Sequence, residues 1–122
     1  MTNILLVDDR PENLLALEAI LEPLEQNLLY AHSGEEALRQ LLQHDVAVIL
    51  LDVQMPVLDG FETATLIKKR ERTKHIPIVV MTAGSSARRW AAQLGADAYL
   101  SKPFELASLV DVTKRFATAK NN

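Results

Sequence analysis

The chain has 122 residues, 48% of them apolar and 24% charged, with a formal net charge of −3 and no cysteine. That length suits one domain with a core of its own, and the lack of cysteine removes disulfide frameworks and zinc–thiolate sites. Lys and Arg are scattered, apart from Lys68-Lys69-Arg70 and Arg88-Arg89, so direct nucleic-acid binding, which needs a dense basic face, is not expected.

The first strand is read at Ile4–Val7, an apolar run that ends in Asp8 and Asp9. Pro11 suits the first position of a helix, and Leu14, Leu17, Leu21 and Leu24 follow at helical spacing. Leu28–Ala31 is the second strand. Ser33-Gly34-Glu35-Glu36 reads as a capping box before Ala37, Leu38, Leu41 and Leu42. Val46–Leu51 is the third strand and runs into Asp52. It is also the longest uninterrupted apolar run, far short of the roughly 20 residues that span a bilayer, so no membrane partner is expected.

After an Asp59-Gly60 turn, Phe61, Ala64 and Ile67 mark a third helix, with Lys68-Lys69-Arg70 as its solvated end. Ile78–Thr82 is the fourth strand. Trp90, Ala91 and Leu94 mark a short fourth helix, with Trp90 packed and Gly95 as its C-terminal cap. Ala98–Ser101, the fifth strand, runs into Lys102-Pro103. Leu106, Leu109, Val110 and Phe116 mark the last helix, and residues 119–122 are expected to fray. The strand runs are continuous rather than alternating, as expected when both sheet faces are covered.

Five such alternations predict one doubly wound α/β domain over residues 1–122, a (βα)5 unit with five parallel strands in the order 2-1-3-4-5. In such a sheet all the carboxyl ends of the strands lie on one edge, where ligands bind. Asp8, Asp9 and Asp52 then converge, and Thr82 and Lys102 approach from one side. Three carboxylates in one cleft repel each other and call for a cation. Oxygen-only ligands favour Mg²⁺. Asp52 is the natural nucleophile, since carboxylates form aspartyl-phosphates. Mg²⁺ and Lys102 would neutralise the oxygens of the transferring group, and the Thr82 hydroxyl could swing onto them afterwards. His32, His44 and His75 lie in different loops without metal-ligand spacing and are read as structural or solvated.

Val7-Asp8-Asp9, Leu51-Asp52-Val53-Gln54-Met55-Pro56, Asp59-Gly60, Met81-Thr82-Ala83, Gly95-Ala96-Asp97 and Ser101-Lys102-Pro103-Phe104 together resemble the receiver domain of two-component response regulators. The resemblance covers essentially the whole chain and implies a flavodoxin-like fold. It implies that Asp52 is the phosphoacceptor. Asp8 and Asp9 would bind Mg²⁺ with Asp52 and the backbone carbonyl of Gln54. Thr82 would be the switch hydroxyl, Tyr99 the switch aromatic, and Lys102 the lysine that contacts the phosphoryl group. The Lys102–Pro103 bond would be cis, a geometry that proline makes accessible. The implied phosphodonor is a phosphohistidine on a sensor histidine kinase or a histidine phosphotransfer protein. The implied setting is the cytoplasm, with a monomer or a phosphorylation-dependent dimer acting on a downstream protein. The resemblance implies a self-phosphorylating switch rather than an enzyme.

One stretch departs from that pattern. The segment from Ala83 to Ala98 is slightly short, and Gly84-Ser85-Ser86 stands where an acidic loop usually leads into the fourth helix. A mobile loop that orders on phosphorylation is the expectation there. Gln54, two residues after the acceptor, could orient or block an attacking water. Three rival readings remain. The chain could be a receiver module excised from a hybrid kinase or a multidomain regulator. It could be an interaction domain that works without phosphorylation, although no acidic residue or lysine is missing. It could be a small Mg²⁺-dependent phosphohydrolase, which would need a further acid/base and a substrate pocket. A start at Met1, with no basic leader, and a polar end without an output domain suggest a stand-alone protein or a truncated piece of one.

Overall fold

The computed structural model describes residues 2–52, 60–83, 87–102 and 106–119. Among these residues five strands and five α-helices alternate. They are β1 (Asn3–Val7), α1 (Pro11–Leu21), β2 (Asn27–Ala31), α2 (Gly34–Gln43), β3 (Val46–Asp52), α3 (Gly60–Lys69), β4 (Ile78–Ala83), α4 (Ala87–Leu94), β5 (Ala98–Lys102) and α5 (Leu106–Ala119). A short 3₁₀ turn, Glu22–Leu24, follows α1 and takes Leu24 out of the helix to which its spacing assigned it. The strands form one parallel sheet in the order β2-β1-β3-β4-β5, as expected.

Strand periodicity sorts the core into two layers, because alternate residues leave opposite faces of a sheet. Leu5, Val7, Ile49, Leu51, Ile78 and Val80 pack with Ala37 and Leu41 of α2 and Ala64 and Ile67 of α3. Ile4, Leu6, Val48, Leu50, Val79, Met81 and Leu100 pack with Leu14, Leu17 and Leu21 of α1 and with Val112 and Phe116 of α5. All seven residues of β3 are buried, which explains its unbroken apolar run. The two edge strands depart from the expectation of two covered faces. Tyr99 of β5 is exposed, and four of the five residues of β2 keep some exposure. Its Tyr30 carbonyl accepts a hydrogen bond from Gln40 Nε2 at 3.0 Å, so a helix side chain occupies part of the open edge.

The helix ends follow their local chemistry. Pro11 opens α1, where its missing N–H costs nothing. Ser33 caps α2 by accepting from the Glu36 N–H at 3.2 Å. Only that half of the expected capping box is seen. The Glu36 carboxylate stands 3.5 Å from His32 Nδ1 instead. Gly95 ends α4 at φ +68°, and the Ala96 N–H reaches the Ala91 carbonyl at 2.9 Å, the long bond of a Schellman turn. α5 includes Ala119, the first residue of the expected frayed tail, and the rest of that tail, residues 120–122, lies outside the described residues.

Lys68 is not the solvated helix end that its neighbours suggest. Its ammonium donates to the carbonyls of Lys74 and Ile76, at 3.5 and 3.3 Å, and stands 3.4 Å from Asp97. Asp97 also accepts from the Ile78 N–H at 2.9 Å, and its own N–H donates to the Ile78 carbonyl at the same distance. These bonds close the amino edge of the sheet around the start of β4.

Thr113 of α5 is fully buried, and its hydroxyl finds no hydrogen-bond partner among the described residues. A buried hydroxyl without a partner costs on the order of 1–3 kcal/mol. Thr113→Val keeps the shape and removes that cost, so the urea midpoint should rise by the equivalent of about 1 kcal/mol at unchanged slope. A lower midpoint would show that the hydroxyl is bonded in the folded protein.

Candidate functional site

β1 and β3 are neighbours because the strand order reverses between them, and the ladder pairs Val7 with Leu51. The next residue on each strand is an aspartate. Asp8 and Asp52 therefore leave the same row of the sheet and continue the even-numbered face formed by Ile4, Leu6, Val48 and Leu50. Both are buried, with 1% and 6% exposure, and Asp9 beside them is half-buried. Carboxylate oxygens of Asp8, Asp9 and Asp52 all lie within 4.8 Å of one another. This crevice at the carboxyl edge, at the reversal of strand order, is where ligands bind in open α/β sheets.

The backbone around the cluster is fixed from several directions. The Asp8 N–H extends the β1–β2 ladder by donating to the Ala31 carbonyl at 3.1 Å. Its Oδ1 accepts from the Arg10 N–H at 3.0 Å, and its Oδ2 accepts from Asn13 Nδ2 at 3.1 Å. Both donors come from the start of α1, whose positive dipole end also favours a carboxylate. Sequence reasoning passed over Asn13. The available signal was an amide at the third position of a helix that begins two residues after the acidic pair.

The other site candidates are placed by the strand register. β3 pairs Asp52 with Met81, and Thr82 is the next residue of β4, paired with Ser101. Lys102 ends β5 opposite Ala83. Thr82 and Lys102 thus occupy the same carboxyl edge as the acidic cluster, one and two rows beyond Asp52. Their side chains lie outside the described residues, as do Gln54, Pro103 and its peptide bond, and the Gly84-Ser85-Ser86 loop. Tyr99 sits in β5 with 44% of its surface exposed. His32, His44 and His75 are exposed and belong to no metal-ligand cluster among the described residues.

An all-oxygen set of three carboxylates, with no imidazole or thiolate, suits a hard divalent cation. No helix of the described residues is long and apolar enough to cross a membrane.

The family described as the response regulator receiver domain matches residues 4–114, and the chain belongs to that family. Over 112 residues it is 42% identical to the transcriptional regulatory protein CpxR of Klebsiella pneumoniae, covering 90% of this chain and 47% of that protein. The chain thus spans about half the length of this relative. It is 34% identical to the sensor histidine kinase GacS of Pseudomonas protegens, covering 93% of this chain and 13% of the kinase. The crystal structure of the receiver domain of the sensor histidine kinase PA1611 from Pseudomonas aeruginosa superposes with a TM-score of 0.86 at 33% identity, covering 96% of this chain and 98% of that domain. That structure holds a magnesium ion in its active site cleft. The sheet order and the helices on both faces are those of the flavodoxin-like receiver fold.

A cation that binds only the folded cluster must stabilise the fold. At a hundredfold excess over its dissociation constant the gain is about 2.7 kcal/mol. A hard divalent cation should therefore raise the thermal midpoint by several degrees, and EDTA should reverse the rise. Asp9→Asn should abolish most of it. A midpoint that ignores the cation in the unsubstituted protein would remove the metal from the site.

Proposed function

We propose that this receiver domain is a phosphoryl-accepting switch, with Asp52 as the acceptor and Mg²⁺ as the required cation. The convergence of Asp8, Asp9 and Asp52 at the β1–β3 edge carries the reading. A buried carboxylate alone could be the end of a strand. Three of them held within 4.8 Å make a cation site with a nucleophile in it.

The donor is a phosphohistidine on a sensor histidine kinase or a histidine phosphotransfer protein. An Asp52 carboxylate oxygen attacks the phosphorus, the new P–O bond forms, and the P–N bond to the imidazole breaks. The leaving nitrogen then takes a proton. Asp8, Asp9 and Asp52, with the Gln54 carbonyl that the family resemblance implies, would hold the Mg²⁺, and the bound cation would supply positive charge against the incoming phosphoryl oxygens. Lys102 supplies a second positive charge from the end of β5, as transfers with charge spread over equatorial oxygens require. The chain acts on itself and turns over no external substrate. Hydrolysis of the acyl phosphate resets it.

The phosphoryl group then adds close to two negative charges and strong acceptor oxygens. Thr82, one row beyond Asp52, bonds to them, and Tyr99 turns from its exposed position toward the space that Thr82 leaves. Inverting a 1:99 population of two such states takes about 5.5 kcal/mol of differential stabilisation. A dianion in reach of Lys102, Thr82 and a bound Mg²⁺ would supply much of that difference. Readout is by a downstream protein in the cytoplasm.

Intact mass after incubation with acetyl phosphate tests the reading. A single phosphoryl adduct should appear with Mg²⁺, and should be absent with EDTA and in Asp52→Ala. Addition of the same adduct to Asp52→Ala would move the acceptor elsewhere. Unmodified protein in all arms, repeated with a phosphorylated histidine phosphotransfer domain as donor, would make this a domain that works without phosphorylation.

A further inference from the structure

We propose that Asn13 is a positioning residue for the acidic cluster. It orients the Asp8 carboxylate and thereby sets the affinity of the site for Mg²⁺, an inference that rests on the Mg²⁺ reading above. Each Asp8 oxygen takes one donor from the start of α1, Oδ1 from the Arg10 N–H and Oδ2 from the Asn13 amide. These two donors, one per oxygen, help to define the plane of the carboxylate, and rotation about Cβ–Cγ must break both.

The Arg10 donor is backbone and is fixed by the turn into the helix. The Asn13 and Leu14 N–H groups both reach back to the Arg10 carbonyl, at 3.0 and 3.3 Å, and Pro11 sets the dihedral between them. Asn13 is thus the side chain through which sequence sets the second donor. It sits on a rigid element, because the next turn of α1 is anchored by the buried Leu14 and Leu17. The chemistry of the donor also matters. An amide satisfies a buried carboxylate oxygen without adding charge. A lysine or arginine there would neutralise the cluster and compete with the cation. Mg²⁺ demands near-ideal octahedral geometry, so a carboxylate that wanders is penalised. Outer partners of ligating residues typically change metal affinity by roughly 10–100-fold when removed.

The same bond could merely tie down the first turn of α1, and the two roles differ in what they move. The test uses the full chain, its Asn13→Ala and Asn13→Leu variants, and Gln40→Ala as a matched control. Gln40→Ala also removes a side-chain amide bond, the one to the Tyr30 carbonyl on β2. Mg²⁺ dissociation constants are measured by titration calorimetry, and thermal midpoints are taken in EDTA.

Both Asn13 variants should bind Mg²⁺ roughly tenfold more weakly or worse. Gln40→Ala should stay within about twofold of the unsubstituted protein, the scatter expected of an uncoupled site. With acetyl phosphate, the Mg²⁺ concentration for half-maximal phosphorylation should rise in parallel. The rate at saturating Mg²⁺ should change little. Unchanged Mg²⁺ affinity in both Asn13 variants overturns the inference, even if their midpoints fall in EDTA, and leaves Asn13 as a helix tie. Weakening in Asn13→Ala but not in Asn13→Leu overturns it too, because volume rather than the donor would then be responsible. If the unsubstituted chain binds no Mg²⁺, the metal reading itself falls and the inference falls with it.

Discussion

The β1–β3 ladder holds like charges together, and the chemistry of this domain depends on that constraint. Two adjacent parallel strands in register cannot end in aspartates without placing both carboxylates in one row. The arrangement survives because Ile4, Leu6, Val48 and Leu50 bury the same strands beneath α1 and α5 immediately below the row. The α1 N-terminus, the Arg10 N–H and the Asn13 amide also turn positive ends toward Asp8. The core thus keeps three carboxylates together, a set that could hold a cation.

Strand polarity separates this edge from a very different one. At the amino edge, Asp97 and Lys68 bind the end of α3, the turn through residue 76, the start of β4 and the approach to β5 into one hydrogen-bonded knot. Its polar groups answer each other and leave no surplus charge. At the carboxyl edge, three acids face one another. A parallel sheet puts every amino end on one side and every carboxyl end on the other. One side can then be closed while the other is kept for ligands.

Much of this was legible in the chain because the strands announce themselves. Five apolar runs separated by capped helices specify the alternation. Right-handed crossovers taken with the doubly wound order 2-1-3-4-5 put β1 beside β3, and with them Asp8, Asp9 and Asp52. Other features depend on relations that a linear pattern does not encode. The exposure of β2 reflects its place at the edge of the sheet, while its own residues read like those of a covered strand. Lys68 looks like any lysine at a helix end, and only the fold brings Asp97 and two carbonyls to it. Glu36 had the right spacing for a reciprocal box, yet a neighbouring histidine stands beside its carboxylate. Asn13 was missed because an amide in the first turn of a helix is common, and its significance lies in the carboxylate behind it.

The relatives place the same unit in a transcriptional regulator and in a sensor kinase, as 47% of one and 13% of the other. In this chain the acidic cluster and the exposed side chains lie on different parts of the unit. Asp8 and Asp52 sit at the ends of wholly buried strand segments, whereas Tyr99, Arg88 and Arg89 are exposed on β5 and α4. The two regions are nonetheless joined by a short path. β4 is hydrogen-bonded to β3 in the Asp52–Met81 row and to β5 in the Val80–Tyr99 row just below it. A rearrangement at the end of β4, where Thr82 follows Met81, is therefore one strand from the acidic cluster and one strand from the exposed tyrosine. A single strand, buried over Ile78–Met81, thus separates the acidic cluster from the exposed Tyr99.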